Sequence, residues 1–187
     1  MGPDRTKIKK MSQLNFSAFP ILETERLLLR SLQPSDASEV FALRSNDEIN
    51  KYIDRKKATS IDDAYAFIER MKIIVDNKES LLWAVEVKQT HAFAGSVLLW
   101  NINKEKKEIE TGYELLPQYQ GKGIMQEAIK AVIAYAFNSL KFDAIVAVAH
   151  KDNVPSLKVL QRNNFQFKED IEHNMKAFIL SSSDYKP

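Results

Sequence analysis

The stretch that most constrains this chain is Gln118 to Ala128, reading Gln-Tyr-Gln-Gly-Lys-Gly-Ile-Met-Gln-Glu-Ala. It follows a β-favouring run, Glu108 to Leu116, closed by Pro117, and it opens an apolar pattern at helical spacing from Ile124 to Leu140. A strand therefore feeds a glycine turn that starts a helix. Gly121 and Gly123 can take positive φ without steric penalty and let a ligand approach the backbone. Amides at the helix start have no intrahelical acceptor and carry the positive end of the helix dipole. A phosphate or pyrophosphate suits such a place. Spacing excludes two common phosphate motifs. The GxxxxGK[ST] loop fails because Lys122 is followed by Gly123, with no Ser or Thr placed for Mg²⁺. The dinucleotide fingerprint fails because Gln126 stands where its third glycine belongs.

The 187 residues fit one domain with a continuous core. We expect a flexible basic leader over 1–15, carrying Arg5, Lys7, Lys9 and Lys10, and a single folded domain over 16–187. Lys and Arg number 27 against 25 Asp and Glu, so no face is marked as a nucleic-acid stripe, and RNA binding through the leader is the only basic-arm reading. With no cysteine there is no thiolate nucleophile and no cysteine zinc site, and His91, His150 and His173 lack metal spacing, so no metal is expected. No apolar run reaches the ~18 residues of a membrane span, and there is no signal-like apolar region at the start. A cytoplasmic protein is expected.

The rest of the chain alternates strands and helices. Leu22 to Leu32 reads as a first strand. Pro34, Ser35 and Asp36 start a helix that ends near Asn46, with Asp36 and Glu39 at capping-box spacing. Asp47 to Ile53 suits a helical turn, and Ser60 with Asp63 opens a helix bearing Ala64, Phe67, Ile68, Met71, Ile74 and Val75. Leu81 to Val87 and Phe93 to Trp100 form a meander with Glu108 to Leu116. Gly95 inside the second strand marks a bulge or a close backbone approach. The near-continuous apolar run Phe142 to Ala149 predicts a strand covered on both faces and parallel to Glu108–Leu116, through a right-handed crossover. Asn153 caps a helix with Pro155 in its first turn. Asn164 ends that helix in a left-handed conformation, and Phe165 to Ile171 with Met175 to Ser182 forms a closing hairpin.

Gln118-x-x-Gly121-x-Gly123 resembles the acyl-coenzyme A pyrophosphate loop of the GNAT acetyltransferases, and three further segments, in order, are similar to the RimJ/RimL-type members. These are Glu23-Thr24-Glu25-Arg26-Leu27-Leu28-Leu29-Arg30 with Pro34-Ser35-Asp36; Ile109-Glu110-Thr111-Gly112-Tyr113 with Leu115 and Pro117; and Asn153-x-x-Ser156 with its short helix, Asn164 and Phe165. Asn164 departs from the usual glycine, and Met125 stands where a smaller residue would give phosphates more room.

The resemblance implies an α/β GNAT fold, a mixed and mostly antiparallel central sheet flanked by helices. It implies acetyl transfer from acetyl-coenzyme A to a primary amine, with the cosubstrate wedged where the strands Glu108–Leu116 and Phe142–Ala149 splay apart. Amides of Gln120, Gly121, Lys122, Gly123, Ile124 and Met125 would hold the pyrophosphate, with Lys122 adding charge. The strand edge at Glu114, Leu115 and Leu116 and the side chain of Asn153 would meet the pantetheine arm. Ser156 matches a position near the thioester sulfur. Glu110 is the carboxylate best placed to take the amine's proton; strand alternation puts Glu108 and Glu114 on the same face, and Glu172 is a weaker candidate. Tyr52 and Tyr65 belong to the region that shapes the acceptor side. The leading acceptor by resemblance is a protein N-terminal amine, as of a ribosomal protein. A small amine (polyamine, amino acid or aminoglycoside) and a non-catalytic acyl-coenzyme A sensor are the alternatives. A homodimer through apolar surface on the closing strands stays open.

Overall fold

The computed structural model describes residues 13–186. One eight-stranded sheet organises them, in the order β1 (Leu22–Glu23), β2 (Leu27–Ser31), β3 (Leu81–Val87), β4 (Ala92–Asn103), β5 (Glu108–Leu115), β6 (Ala144–His150), β8 (Met175–Ser181), β7 (Gln166–Ile171). Every neighbouring pair is antiparallel except β5 and β6. The expected mixed, mostly antiparallel sheet is thus present. Helices α1 (Ala37–Ser45), α2 (Asp47–Asn50) and α3 (Ile61–Asp76) precede β3; α4 (Ile124–Asn138) is the crossover from β5 to β6, and α5 (Val154–Arg162) follows β6. Among the described residues no helix is long and apolar enough to cross a membrane, and no group of three or more His, Asp or Glu is placed to hold a metal ion.

Period-2 patterning divides the core between the two faces of the sheet. Leu27, Leu29, Leu81, Trp83, Val85, Ile109 and Ile145 join Ile129, Val132, Ile133 and Ala136 of α4 in the larger cluster. Ala84 and Phe93 point the other way and pack with Ala37, Val40, Leu43, Ala64 and Ile68 of α1 and α3. α3 begins with a capping box, in which Ser60 accepts from the Asp63 N–H and Asp63 from the Ser60 N–H.

Three expectations are corrected. The first strand is split, because Thr24 to Arg26 turn outward: the Thr24 N–H bonds to the Leu27 carbonyl at 3.0 Å. Asp36 does not pair with Glu39. Its carboxylate reaches back to take both Nη atoms of Arg30 at 2.8 Å and the Gln33 N–H at 2.8 Å, and the helix starts through a 3₁₀ turn, Pro34–Asp36. A buried bidentate guanidinium outcompetes a surface capping box. The folded part also reaches below residue 16. Leu14 is 4% exposed within the larger cluster, and its N–H bonds to the Lys78 carbonyl at 2.7 Å. Residues 1–12 of the expected leader lie outside the described residues.

Candidate active site

The site is made by two parallel strands that part. β5 and β6 pair from Glu108↔Ala144 to Thr111↔Ala147, and beyond that point no pairing joins them. β6 continues alongside β8 to His150↔Met175, while β5 stays on β4 to Gly95↔Leu115. Gly95 holds β5 there, since a Cβ at that position would run into the Glu114 carbonyl oxygen. Next to it on β4, Ala94 is the extra residue of a bulge that faces Val85 and Glu86 of β3. Each strand keeps one partner and loses the other, and a cleft of about 1280 Å³ opens between them.

One end of the cleft is built from backbone. Gly121 (φ 72°) and Gly123 (φ 74°) are both left-handed, and a Cβ at Gly121 would meet nothing within 4 Å, so conformation rather than space requires glycine there. The first α4 hydrogen bond runs from the Glu127 N–H to the Gly123 carbonyl at 3.1 Å. The amides of Ile124, Met125 and Gln126 therefore have no acceptor within the helix. The loop is clamped from the split first strand. Glu127 accepts from the Thr24 hydroxyl (2.5 Å), the Arg26 N–H (2.8 Å) and Arg26 Nε (2.6 Å), while Arg26 Nη1 donates to the Lys122 carbonyl at 3.1 Å. Burial alone would push the Glu127 carboxyl up, but these donors together hold it below the ordinary glutamate value.

Of the residues expected to meet the cosubstrate, Gln120, Gly121, Gly123, Ile124, Met125 and Leu115 line the cleft, and Gln120 Nε2 donates to the Leu115 carbonyl at 3.1 Å. Two expected residues do not line it. Leu116 is buried in the smaller apolar cluster and its N–H is committed to the Ala94 carbonyl at 2.9 Å; the Lys122 side chain is exposed outside the wall, with Nζ 6.0 Å from the Tyr119 ring centre. Met125 is 5% exposed, its bulk taken into the core.

α5 supplies the opposite wall. Asn153 accepts from the Ser156 N–H at 3.3 Å, which leaves its own amide donors free over the cleft. Asn164 ends the helix at φ 61°, left-handed as expected. The Ser156 hydroxyl is 3.0 Å from the Tyr113 hydroxyl. Tyr113 was legible only as part of a strand motif; burial pushes its phenol up to about 12, although the Ser156 bond pulls the other way. Two polar atoms of residues that line the cleft from β5 and α4, Thr111 Oγ1 and Gln126 Oε1, are buried and without a hydrogen-bond partner. The unpaired amides and orphaned oxygens suit a ligand with phosphate at one end and amides along its length.

The other half is built from side chains. Glu110 lies at the last paired stretch of β5, and Asn101 Nδ2 donates to it at 2.9 Å from the β4 bulge, where Asn101 is itself left-handed (φ 50°). Burial raises the Glu110 carboxyl above its ordinary value, and the Asn101 bond only partly opposes this. Glu114 also faces the cleft but is ion-paired with Arg55 Nη2 at 2.7 Å and receives the Ser96 hydroxyl at 3.3 Å. Glu108 is turned towards Lys168 at 3.9 Å, and neither it nor Glu172 lines the cleft. Tyr52 does line it, stacked on His150 with ring centres 5.0 Å apart, whereas Tyr65 is 46% exposed and stands away from the wall. The pairings of Asn101, Arg55 and His150 left no local trace in the sequence.

The GNAT acetyltransferase domain matches residues 26–166. The chain belongs to the GNAT family of acetyltransferases, and it is an acetyl-coenzyme A-dependent enzyme. Among its relatives is the uncharacterized N-acetyltransferase YoaA of Bacillus subtilis, 33% identical over 148 residues that cover 79% of this chain and 84% of that one. Solved structures that share its fold include two acetyltransferases with different acceptors in their names. The ribosomal-protein-S5-alanine acetyltransferase of Vibrio fischeri superposes with a TM-score of 0.76 at 21% identity, covering 90% of this chain and 100% of that one. The spermidine N-acetyltransferase of Vibrio cholerae, solved with coenzyme A and spermine, gives 0.76 at 22% identity, covering 87% and 99%.

Proposed function

We propose that the cleft acetylates the α-amine of a polypeptide N-terminus. One observation carries this reading: of the carboxylates on the cleft face of β5, Glu114 is neutralised by Arg55, which leaves Glu110 alone. A polyamine is best held by several uncompensated carboxylates close to the reacting nitrogen; the β5 face offers Glu110 alone, and the other acids that line the cleft, Glu48, Asp54 and Asp152, stand on α2, the loop after it and the turn between β6 and α5. The amine must also be neutral to attack. For a lysine that costs roughly 4.6 kcal/mol at pH 7, and for an α-amine near pKa 8 about 1.4. A single β5 carboxylate, made more basic by burial, is a base matched to the smaller demand.

Each side chain then has a role. The amides of Gly121, Gly123, Ile124 and Met125 receive the pyrophosphate, and Leu115 and Asn153 the pantetheine arm. Glu110, oriented by Asn101, takes the proton from the amine as nitrogen attacks the thioester carbonyl. The C–S bond breaks as the tetrahedral intermediate collapses, and the thiolate departs beside the Ser156–Tyr113 hydroxyl pair. A thiol has a reference pKa near 8.5, so proton transfer from a phenol at about 12 would run roughly 5 kcal/mol uphill. The pair therefore stabilises the thiolate by hydrogen bonding. Residues 13–186 act as one catalytic domain, and dependence on acetyl-coenzyme A together with the absence of cysteine fits the cytoplasm.

The test is thiol release from acetyl-coenzyme A with three acceptors: a peptide with a free α-amine, the same peptide blocked there but carrying a lysine, and spermidine. The free α-amine is expected to lead in kcat/KM by at least about tenfold, with activity rising to a plateau near pH ~8. Preference for spermidine would sink the peptide reading.

A further inference from the structure

The acceptor half contains a guanidinium that no carboxylate among the described residues pairs with. Arg44, in the last turn of α1, lines the cleft half-buried, with its Cζ 4.0 Å above the centre of the Phe67 ring. Among the described residues it has no ion pair and no side-chain hydrogen bond. Its neighbour Arg55 is already paired with Glu114 and also donates to Asn50 Oδ1 at 2.6 Å. Arg70 approaches the same Phe67 ring at 5.6 Å and adds positive charge. Burial, and then the nearness of Arg55 and Arg70, lower the Arg44 pKa, which Glu114 only partly offsets. A half-buried cation repelled by two others and lacking a carboxylate is a cost to the free protein. A ligand that brings the carboxylate removes that cost.

We propose that Arg44 is a specificity-determining residue that pairs with a carboxylate on the acceptor, so that the preferred acceptor is an amine bearing an acidic group close to the reacting nitrogen. This rests on the reading of the cleft between α1, α2 and β5 as the acceptor side. Stacking on Phe67 fixes the plane of the guanidinium and leaves its N–H edge for a bidentate carboxylate, a geometry that lysine cannot supply. The same charge disfavours a polycation, in agreement with the compensated state of Glu114. The carboxylate has two sources of the same chemistry: an Asp or Glu side chain at the second or third position of a peptide, or the α-carboxylate of a free amino acid.

The experiment measures kcat/KM at saturating acetyl-coenzyme A for three peptides that differ only at the second residue, Asp, Ala or Lys, and for free serine beside serine amide. It uses the full chain and the variants Arg44→Gln and Arg44→Glu. The intact enzyme is expected to favour the Asp peptide over the Ala peptide by about tenfold. That ratio should fall to near one in Arg44→Gln and turn towards the Lys peptide in Arg44→Glu. The ratio is compared within one protein, so a general loss of activity does not mimic the effect. If Arg44→Glu fails to fold, the Arg44→Gln ratio still decides. A tenfold preference for serine over serine amide, lost in Arg44→Gln, with no effect of the second peptide residue, would support the pairing and assign the carboxylate to a small acceptor. Equal turnover of the three peptides and of serine and its amide by the intact enzyme, or an acid preference that survives Arg44→Gln, overturns the proposal while leaving α-amine acetylation standing. Turnover of spermidine with none of any carboxylate-bearing amine overturns both.

Discussion

The two halves of the cleft are made of different material. On the side of α4 and α5, the cleft is walled mainly by main-chain amides at two helix starts, fixed by two left-handed glycines and an asparagine cap, with the short side chains of Asn153 and Ser156 beside them. On the side of α1, α2 and β5 they are long side chains held by one another: Arg55 with Glu114, Asn101 with Glu110, Arg44 over Phe67. A backbone site binds a common chemical feature and tolerates little change. A side-chain site can be re-specified one pair at a time, which suits a fold whose members share a cosubstrate and differ in acceptor.

The sharpest way to break this contrast is Gly123→Glu. It places an L residue at φ 74° and sets a negative charge among the amides. Affinity for coenzyme A in a calorimetric titration should fall more than about a hundredfold, from αL strain of roughly 1–2 kcal/mol added to charge repulsion. An unaltered affinity would mean that the phosphates bind elsewhere.

Glu110→Gln tests the other half. Its kcat/KM at pH 7 should drop by about a hundredfold or more, while coenzyme A affinity stays within error. Because the Glu110 carboxyl is raised, the acidic limb of the wild-type pH profile should lie above the ordinary glutamate range, and the variant should lose it.

Ser156→Ala and Tyr113→Phe each remove one partner of a shared bond, so each should slow turnover by about tenfold, and the double variant by little more. Additive losses would separate the two hydroxyls. A smaller, sharpening effect is expected from Arg55→Gln, which frees the Glu114 charge: spermidine should gain a few-fold relative to an α-amine peptide.

The smallest effect is on stability. The Glu127 carboxyl lies below its ordinary value in the folded chain, so its contribution is full above the unfolded value near ~4.3 and is lost as pH falls towards the folded one. Denaturant titrations should show Glu127→Gln costing about 1–2 kcal/mol at pH 7 and less at pH 3. A cost that does not change with pH would remove the charge from the clamp.

The same division governs what could be read from the sequence. The glycine loop, the Asn153 cap, the Asn164 stop and the Gly95 close approach are local: residue type and φ preference act within a few positions, and the structure has them as expected. Strand and helix order followed from apolar period. Arg55–Glu114, by contrast, joins residues 59 apart, and Asn101 reaches Glu110 only because of a bulge that no residue nearby announces. The side chains of Lys122 and Leu116 show a related limit: proximity in sequence to a glycine loop says nothing about which way a side chain turns, and here one faces solvent and the other the core. The Asp36 and Glu39 spacing was sound as a local rule but lost to Arg30, which lies on the preceding strand.

The most direct measurement is a crystal structure of the protein with coenzyme A. The expected result is a pyrophosphate within hydrogen-bonding distance of the amides of Ile124 and Met125, the pantetheine arm between β5 and β6 beyond Thr111 and Ala147, and the thiol directed towards Ser156 and Tyr113. A coenzyme A bound with its phosphates away from the Gly121–Met125 turn, or lying outside the splay of the two strands, would contradict the division of the cleft into a backbone-built cosubstrate half and a side-chain-built acceptor half.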